Sequence, residues 1–160
     1  MRAALDRQSV IKANAQFWDQ MLAMNLEVVL APQQFPAGSG HLLGSVSLFG
    51  AWQGRIDVRM DSGLAYQATA AMMTQPLETV GQADVLDATK EIANMIAGVI
   101  KTSLPRPSTM TVPESEIDGE EFYKGSKCSH CLDVSFRHSS GEFFVRVQEQ
   151  ECGTGTADCG

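Results

Sequence analysis

The chain has 160 residues, which is enough for one domain of ordinary size and short for two. Its 12 basic and 19 acidic residues give a formal net charge of −7, which argues against nucleic-acid binding and against adsorption to an anionic membrane, because both need a cationic surface. The hydrophobic fraction of 44% is typical of a globular core, and the sequence shows neither a membrane-spanning run nor the apolar segment of a secretory signal. We therefore expect a soluble, cytoplasmic protein.

The first two thirds of the chain predict helices around one β-hairpin. Apolar residues recur at spacings of three and four where helices are expected, and they alternate with polar residues in a hairpin with one apolar and one solvated face. The expected elements are a helix over residues 3–24, a short strand at Val28–Leu30, the hairpin within residues 45–60, a helix from Leu64 to about Thr74, and a helix from about Asp84 to Ser103. We expect Asp84 to cap the last of these helices.

The last third of the chain predicts strands again. Alternation indicates a strand at residues 109–112 and a hairpin formed by residues 132–137 and 143–148. The acidic stretch Glu114–Glu121 lies between them and is interpreted as a loop.

Strands on both sides of a helix pair predict an α+β fold, in which an antiparallel sheet of hairpins packs with long helices. We expect a single domain over residues 1–150. Residues 151–160 have no periodicity and are expected to form a disordered tail.

The four cysteines are Cys128, Cys131, Cys152 and Cys159. A reducing cytoplasm disfavours disulfides, and we interpret these residues as thiols of a loop and of the tail. Cys128, His130 and Cys131 have the spacing of half a zinc site, but the two later cysteines match no common second half. A zinc-bound structural protein that uses these three residues and a tail cysteine is therefore the least favoured alternative. All three histidines are expected at the surface.

The helix from Asp84 carries a polar stripe well away from its apolar face. At 100° per residue, Asp87, Glu91, Asn94 and Gly98 fall within about 60° of one another. Such a stripe is often only a solvated face. However, Asn is a poor helix former, and a glycine inside a helix costs about 1 kcal/mol relative to alanine. Gly98 on this stripe therefore suggests that another molecule approaches the helix backbone closely.

The segment DATKEIANMIAGVIK, from Asp87 to Lys101, resembles the helix signature of the CheC/CheX/FliY chemotaxis phosphatases. That signature is an Asp, a Glu four residues on, an Asn three residues further and a Gly four residues after that. The hairpin SVSLFGAWQGRIDVRM, the stretch TMTVPESEIDGEEF and the final hairpin are also similar to this family, so that the resemblance covers residues 1 to about 150. The signature occurs once, whereas CheC-type members usually carry two copies, and the chain is therefore identified as CheX-like.

The resemblance implies a hydrolase that removes the phosphoryl group from the aspartyl-phosphate of a CheY-type response regulator, and so terminates a chemotaxis or two-component signal. It implies that Glu91 and Asn94 are catalytic and that Asp87, Gly98 and Lys101 support partner binding. It also implies a homodimer and no cofactor on this chain, with Mg²⁺ on the response regulator. The alternative is a non-catalytic module that docks on a receiver domain or on a flagellar-switch protein.

Overall fold

A seven-stranded antiparallel sheet forms the framework of the protein, and its apolar face packs against the helices. The computed structural model describes residues 5–29, 41–117 and 131–150. The helices are α1 (Arg7–Gln16), α2 (Ser62–Met73) and α3 (Gln82–Lys101), with a π-helical segment at Phe17–Met21 and a 3-10 turn at Leu77–Thr79. The strands are β1 (Glu27–Val29), β2 (Leu42–Gly50), β3 (Gly54–Met60), β4 (Ser108–Met110), β5 (Glu114–Ile117), β6 (Cys131–His138) and β7 (Gly141–Glu149). This arrangement confirms the predicted α+β fold.

The strand order is β1-β6-β7-β3-β2-β4, and β5 also pairs with β2. The two predicted hairpins, β2–β3 and β6–β7, lie next to each other because β3 pairs with β7. Helix α3 lies over β2 and β5 and buries its apolar face there, as its periodicity predicts. The fold therefore places α3 across one half of the sheet with its opposite face outward.

The first helix is shorter than predicted and is not regular throughout. It begins after Asp6, whose carboxylate accepts the backbone N–H of Ser9 at 2.8 Å, and it changes to π-helical geometry at Phe17. Phe17 and Trp18 are both buried, and the Trp18 ring contacts the Phe143 ring edge-on at a centroid distance of 4.9 Å. The wider π turn accommodates two adjacent aromatic side chains that both pack into the core. The chain leaves the helix at Ala23, whose φ of 52° is left-handed.

The start of α3 also differs from the prediction. Gly81 is the N-cap residue, and Asp84 lies three residues later, where its Oδ2 accepts the backbone N–H of Gly81 at 3.0 Å. Asp84 therefore caps the helix from within its first turn, as in a capping box. Because α3 begins at Gln82, two residues earlier than predicted, the polar stripe lies further inside the helix.

The interpretation of the acidic stretch as a loop is wrong for its first four residues. Glu114–Ile117 forms β5, which pairs with β2 so that Ser45 lies opposite Glu114 and Leu42 opposite Ile117. The glutamates are exposed, whereas Ser115 and Ile117 are partly buried. Charged residues are common on edge strands, where they discourage further pairing. In this stretch the glutamates masked the alternation of exposed and buried residues that would have indicated a strand. Residues 118–121 lie outside the described residues.

The second face of the β2–β3 hairpin is not solvated as predicted. Asp57 and Arg59 are only 4% and 3% exposed, and Arg55 Nε donates to Asp57 Oδ1 at 2.7 Å. Burial raises the pKa of Asp57 despite the opposing effect of Arg55. Further along the sheet, Arg146 forms two hydrogen bonds with the carboxylate of Asp133. Asp57, Arg59 and Arg146 are thus buried among neighbouring strands, whereas Arg55 and Asp133, the partners of Asp57 and Arg146, remain partly in water.

Two further predictions from single residues are wrong. His41 is buried rather than at the surface, and its Nε2 lies 2.8 Å from Asp61 Oδ1. Cys131, at the start of β6, is disulfide-bonded rather than a free thiol. Its partner, the other candidate zinc ligands and the tail over residues 151–160 lie outside the described residues.

Candidate active site on helix α3

The polar stripe lies on the outer face of α3. Asp87 and Glu91 are exposed, and Asn94 and Gly98 are partly exposed. Lys101 is the last residue of the helix and continues the stripe, since it lies three residues after Gly98. The structure thus brings all five predicted residues onto one side of one helix.

Glu91 and Asn94 are neighbours on this face, because residues three apart on a helix have Cβ atoms about 5–6 Å apart. Neither side chain makes a hydrogen bond or an ion pair with another residue in the described part of the chain. A carboxylate and an amide are therefore presented side by side with their hydrogen-bonding groups available. Such a pair is able to hold a cation and a water molecule of a partner.

The stripe weakens the helix that carries it. Asp87 and Glu91 are like charges four residues apart, which costs a few tenths of a kcal/mol, and Gly98 costs about 1 kcal/mol relative to alanine. Within residues 5–29, 41–117 and 131–150, no ion pair offsets the charge repulsion. This cost supports the view that the stripe serves contacts outside the chain.

Gly98 is not required by the fold. A Cβ atom added there would meet nothing within 4 Å, so that alanine would fit without any adjustment. Gly44 on β2 is a contrasting case, because a Cβ atom there would lie 2.9 Å from the carbonyl oxygen of Thr89. Gly44 therefore serves internal packing, whereas Gly98 leaves the outer surface of α3 open.

Sequence reasoning missed two residues that hold α3 in place. Gly44 allows the close contact with Thr89, and the Ser115 hydroxyl of β5 donates to the Leu86 carbonyl oxygen at 2.8 Å. A glycine inside a strand pattern is a recognised sign of a close backbone approach, and this signal was available at Gly44. Ser115 had no comparable signal, since its strand was not predicted.

The described residues contain no group of three or more His, Cys, Asp or Glu side chains suited to a metal ion. No helix among them is both long and apolar enough to cross a membrane.

A family model described as chemotaxis phosphatase CheX matches residues 42–135, more than half of the chain. None of the curated protein sequences is significantly similar to this chain. The matched segment begins at β2 and contains both α2 and α3, and so includes the whole polar stripe.

Several solved structures share the fold. The CheX–CheY–BeF3–Mg²⁺ complex from Borrelia burgdorferi gives a TM-score of 0.71 at 22% identity, over 90% of this chain and 97% of that chain. CheX from Vibrio vulnificus gives 0.68 at 19% identity, over 94% and 100% of the two chains. FliY from Thermotoga maritima gives 0.59 at 14% identity, over 90% and 91%. These identities show a common fold, and the match of residues 42–135 to the family model shows that the chain belongs to the CheX family of chemotaxis phosphatases.

Proposed function

We propose that this chain hydrolyses the aspartyl-phosphate of a CheY-type response regulator and thereby ends its signal, with Asn94 and Glu91 as the residues that act on the receiver. The observation that carries the proposal is the Glu91–Asn94 pair on the outer face of α3, which has no partner among the described residues and lies within the segment that matches the phosphatase family. The Borrelia burgdorferi structure, in which a CheX is bound to CheY with BeF3 and Mg²⁺, supports a receiver domain as the partner.

The reaction suits this small set of side chains. An aspartyl-phosphate is an activated anhydride whose leaving group is a carboxylate, which departs without needing a proton. Phosphoryl transfer then depends mainly on positioning and on stabilisation of charge. What the phosphatase has to supply is a water molecule in line with the bond that breaks.

Asn94 is suited to hold that water. Its side-chain amide offers both donors and an acceptor, and no described residue occupies them. An amide does not act as a base, but it orients a water as the glutamine of GTP-hydrolysing enzymes does. The receiver itself supplies the positive charge through its lysine and its Mg²⁺.

Glu91 lies about one turn before Asn94 and supplies a charged contact, whereas the Asn94 amide is neutral. The exposed Glu91 carboxylate forms no ion pair with any of the described residues. We propose that it pairs with the active-site lysine of the receiver and thereby fixes the register of α3 in the receiver cleft. Charge-assisted contacts of this kind are stronger when the interface excludes water.

The remaining stripe residues support this arrangement. Asp87 and Lys101 carry charges of the sign that suits the amino-terminal and carboxy-terminal halves of the α3 dipole, respectively. Gly98 lets the receiver backbone pack directly against the helix. The chain needs no cofactor of its own for these steps, and the Mg²⁺ is part of the phosphorylated receiver.

We further propose that the protein is a homodimer assembled through a sheet edge, and that it acts in the cytoplasm together with its receiver. The cytoplasmic location rests on the proposed partner, because a reducing compartment by itself disfavours the disulfide of Cys131. Strands β1 and β4 stand at the two ends of the strand order, and edge strands leave backbone groups available for pairing. Val112, between β4 and β5, is 83% exposed, and burying it would favour association. Light scattering at micromolar concentration should give the mass of a dimer.

The function is tested by the decay of phosphorylated receiver domains from the same organism, each measured with and without this protein. We expect faster decay with at least one receiver, which would then be named as the substrate. Binding to a receiver without any acceleration would support the docking module instead.

Replacing Gly98 by alanine should separate stability from function. The helix should be stabilised by about 1 kcal/mol, because the added Cβ meets nothing in the fold, and the melting temperature should rise. The affinity for the receiver should fall, since the methyl group occupies the surface on which the receiver backbone packs. Thermal unfolding and a binding titration measure the two effects, and an unchanged affinity would contradict the role given to Gly98.

A further inference from the structure

One row of side chains on the helix-facing side of the sheet becomes smaller towards the strands that lie under α3. On the helix side, aligned residues of successive strands run from β6 to β5 as Val134, Val145, Val58, Gly44 and Ser115. Three valines are followed by a glycine and a serine at the position where α3 lies over β2 and β5. Gly44 and Ser115 are direct cross-strand partners, so that the two small residues form one continuous seat for the helix.

Gly44 brings the backbone of α3 against the sheet. A Cβ atom at this position would lie 2.9 Å from Thr89 O, 3.0 Å from Ala93 Cβ and 3.1 Å from Thr89 Cγ2, whereas ordinary contacts of this kind lie at 3.4–4 Å. Any side chain larger than glycine would therefore push α3 outward by several tenths of an ångström. Gly44 therefore sets the depth of α3, that is, how closely the helix packs against the sheet.

Ser115 holds the helix one turn earlier. Its Oγ donates to the Leu86 carbonyl oxygen at 2.8 Å, and a backbone carbonyl has a second lone pair to accept such a bond beside its helical one. Thr89 satisfies its own hydroxyl within the helix, at Val85 O. The serine bond is therefore an additional link between β5 and α3 that neither element needs in order to form.

The seat lies opposite the candidate active site on the same rigid helix. Leu86, Thr89 and Ala93 face the sheet, and Glu91 and Asn94 project about 140–200° away from Thr89 by helical periodicity. A displacement at the seat is thus carried directly to both site residues. Misplacement of a reacting group by about 1 Å is enough to lower a rate about 100-fold.

A receiver that contacted α3 alone would shift together with the displaced helix, and its rate of dephosphorylation would not change. Met73 and Leu77, at the end of α2 and in the 3-10 turn before α3, are 45% and 41% exposed. Large apolar side chains at the surface are common at interaction sites. They lie where a receiver held by α3 would meet a second surface, so that the depth of α3 relative to this surface decides how close its outer face comes to the receiver.

We infer that Gly44 and Ser115 are positioning residues of the phosphatase, which fix the depth of α3 relative to the α2–α3 connection and so place Asn94 against the phosphoryl group. This inference rests on the proposed function. It adds residues of the sheet, on the side of α3 away from the receiver, to the determinants of turnover.

The test compares kcat and KM for a phosphorylated receiver among four variants, together with their melting temperatures. Gly44→Ala should lower kcat about tenfold or more, and Ser115→Ala should lower it several-fold, with smaller changes in KM. Ser115→Thr keeps the hydroxyl and should retain most of the wild-type kcat. Val134→Ala, in the same row but three strands away, should lower the melting temperature and leave kcat unchanged.

The outcomes separate the inference from the function on which it rests. Wild-type kcat in both Gly44→Ala and Ser115→Ala would overturn the inference while the phosphatase stands. An equal loss of kcat in Val134→Ala would also overturn it, because general destabilisation would then explain the effect. If Gly44→Ala does not fold, Ser115→Ala and Ser115→Thr still give a result. A wild-type protein that accelerates the decay of no receiver would instead refute the proposed function.

Discussion

Replacing Asn94 by alanine should lower kcat for receiver dephosphorylation about 100-fold, a loss typical of removing one preorganised hydrogen-bonding group from an active site. The Asn94 amide has no partner among the described residues, so that its removal leaves no group of the fold unsatisfied. Alanine is also the better helix former, by several tenths of a kcal/mol. The variant should therefore melt at the wild-type temperature or slightly above it.

The affinity for the phosphorylated receiver should change little in Asn94→Ala, because the amide contacts the attacking water and Glu91 is retained. A loss of kcat with nearly constant KM or Kd is the signature of an interaction made in the transition state. Gln8→Ala is a matched control, since it removes an exposed side-chain amide from α1, which carries none of the stripe residues. Turnover by Asn94→Ala at the wild-type rate would refute the water-orienting role.

The sequence predicted α3 and its stripe well because the relevant signal is local. The apolar positions of a helix repeat within one segment, and the residues of α3 that recur at this spacing, such as Ile92 and Ile96, are buried. The same periodicity placed Glu91 and Asn94 on the opposite face, where they are found. Their catalytic roles come from the resemblance and stay predictions until turnover is measured.

The features that sequence reasoning missed depend on residues distant in the chain. Strand β5 exists because β2 lies beside it, and nothing within its four residues reports that neighbour. The burial of Asp57 and Arg59 likewise depends on their position among several strands, whereas alternation alone indicated a solvated face. The π-helical segment follows from the burial of both Phe17 and Trp18 in a core that is only complete once the sheet has formed.

Replacing Glu91 should mainly weaken binding. Glu91→Gln keeps the size of the side chain but removes its charge, and we expect the Kd for the phosphorylated receiver to rise about tenfold, because a charge-assisted contact contributes roughly 1.5–3 kcal/mol and part of it survives. Glu91→Lys should raise the Kd further, since it places like charges together. The fold should not suffer, because loss of this charge relieves the repulsion from Asp87.

Salt dependence provides a second measure of the Glu91 contact. Binding by the wild type should weaken as ionic strength rises, and binding by Glu91→Gln should depend less on salt. Asp19→Asn makes the same change in net charge at an exposed position in the π-helical segment and should behave as the wild type. Equal salt dependence in the wild type and in Glu91→Gln would argue against an ion pair with the receiver.

The Glu91 and Asn94 variants together distinguish a phosphatase from a docking module. Both kinds of protein would use the exposed carboxylate for affinity, so that a weaker Kd in Glu91→Gln does not separate them. Only a phosphatase needs the amide three residues further along the helix. Loss of turnover in Asn94→Ala at retained affinity, beside loss of affinity in Glu91→Gln, would therefore assign hydrolysis to one residue and register in the receiver cleft to the other.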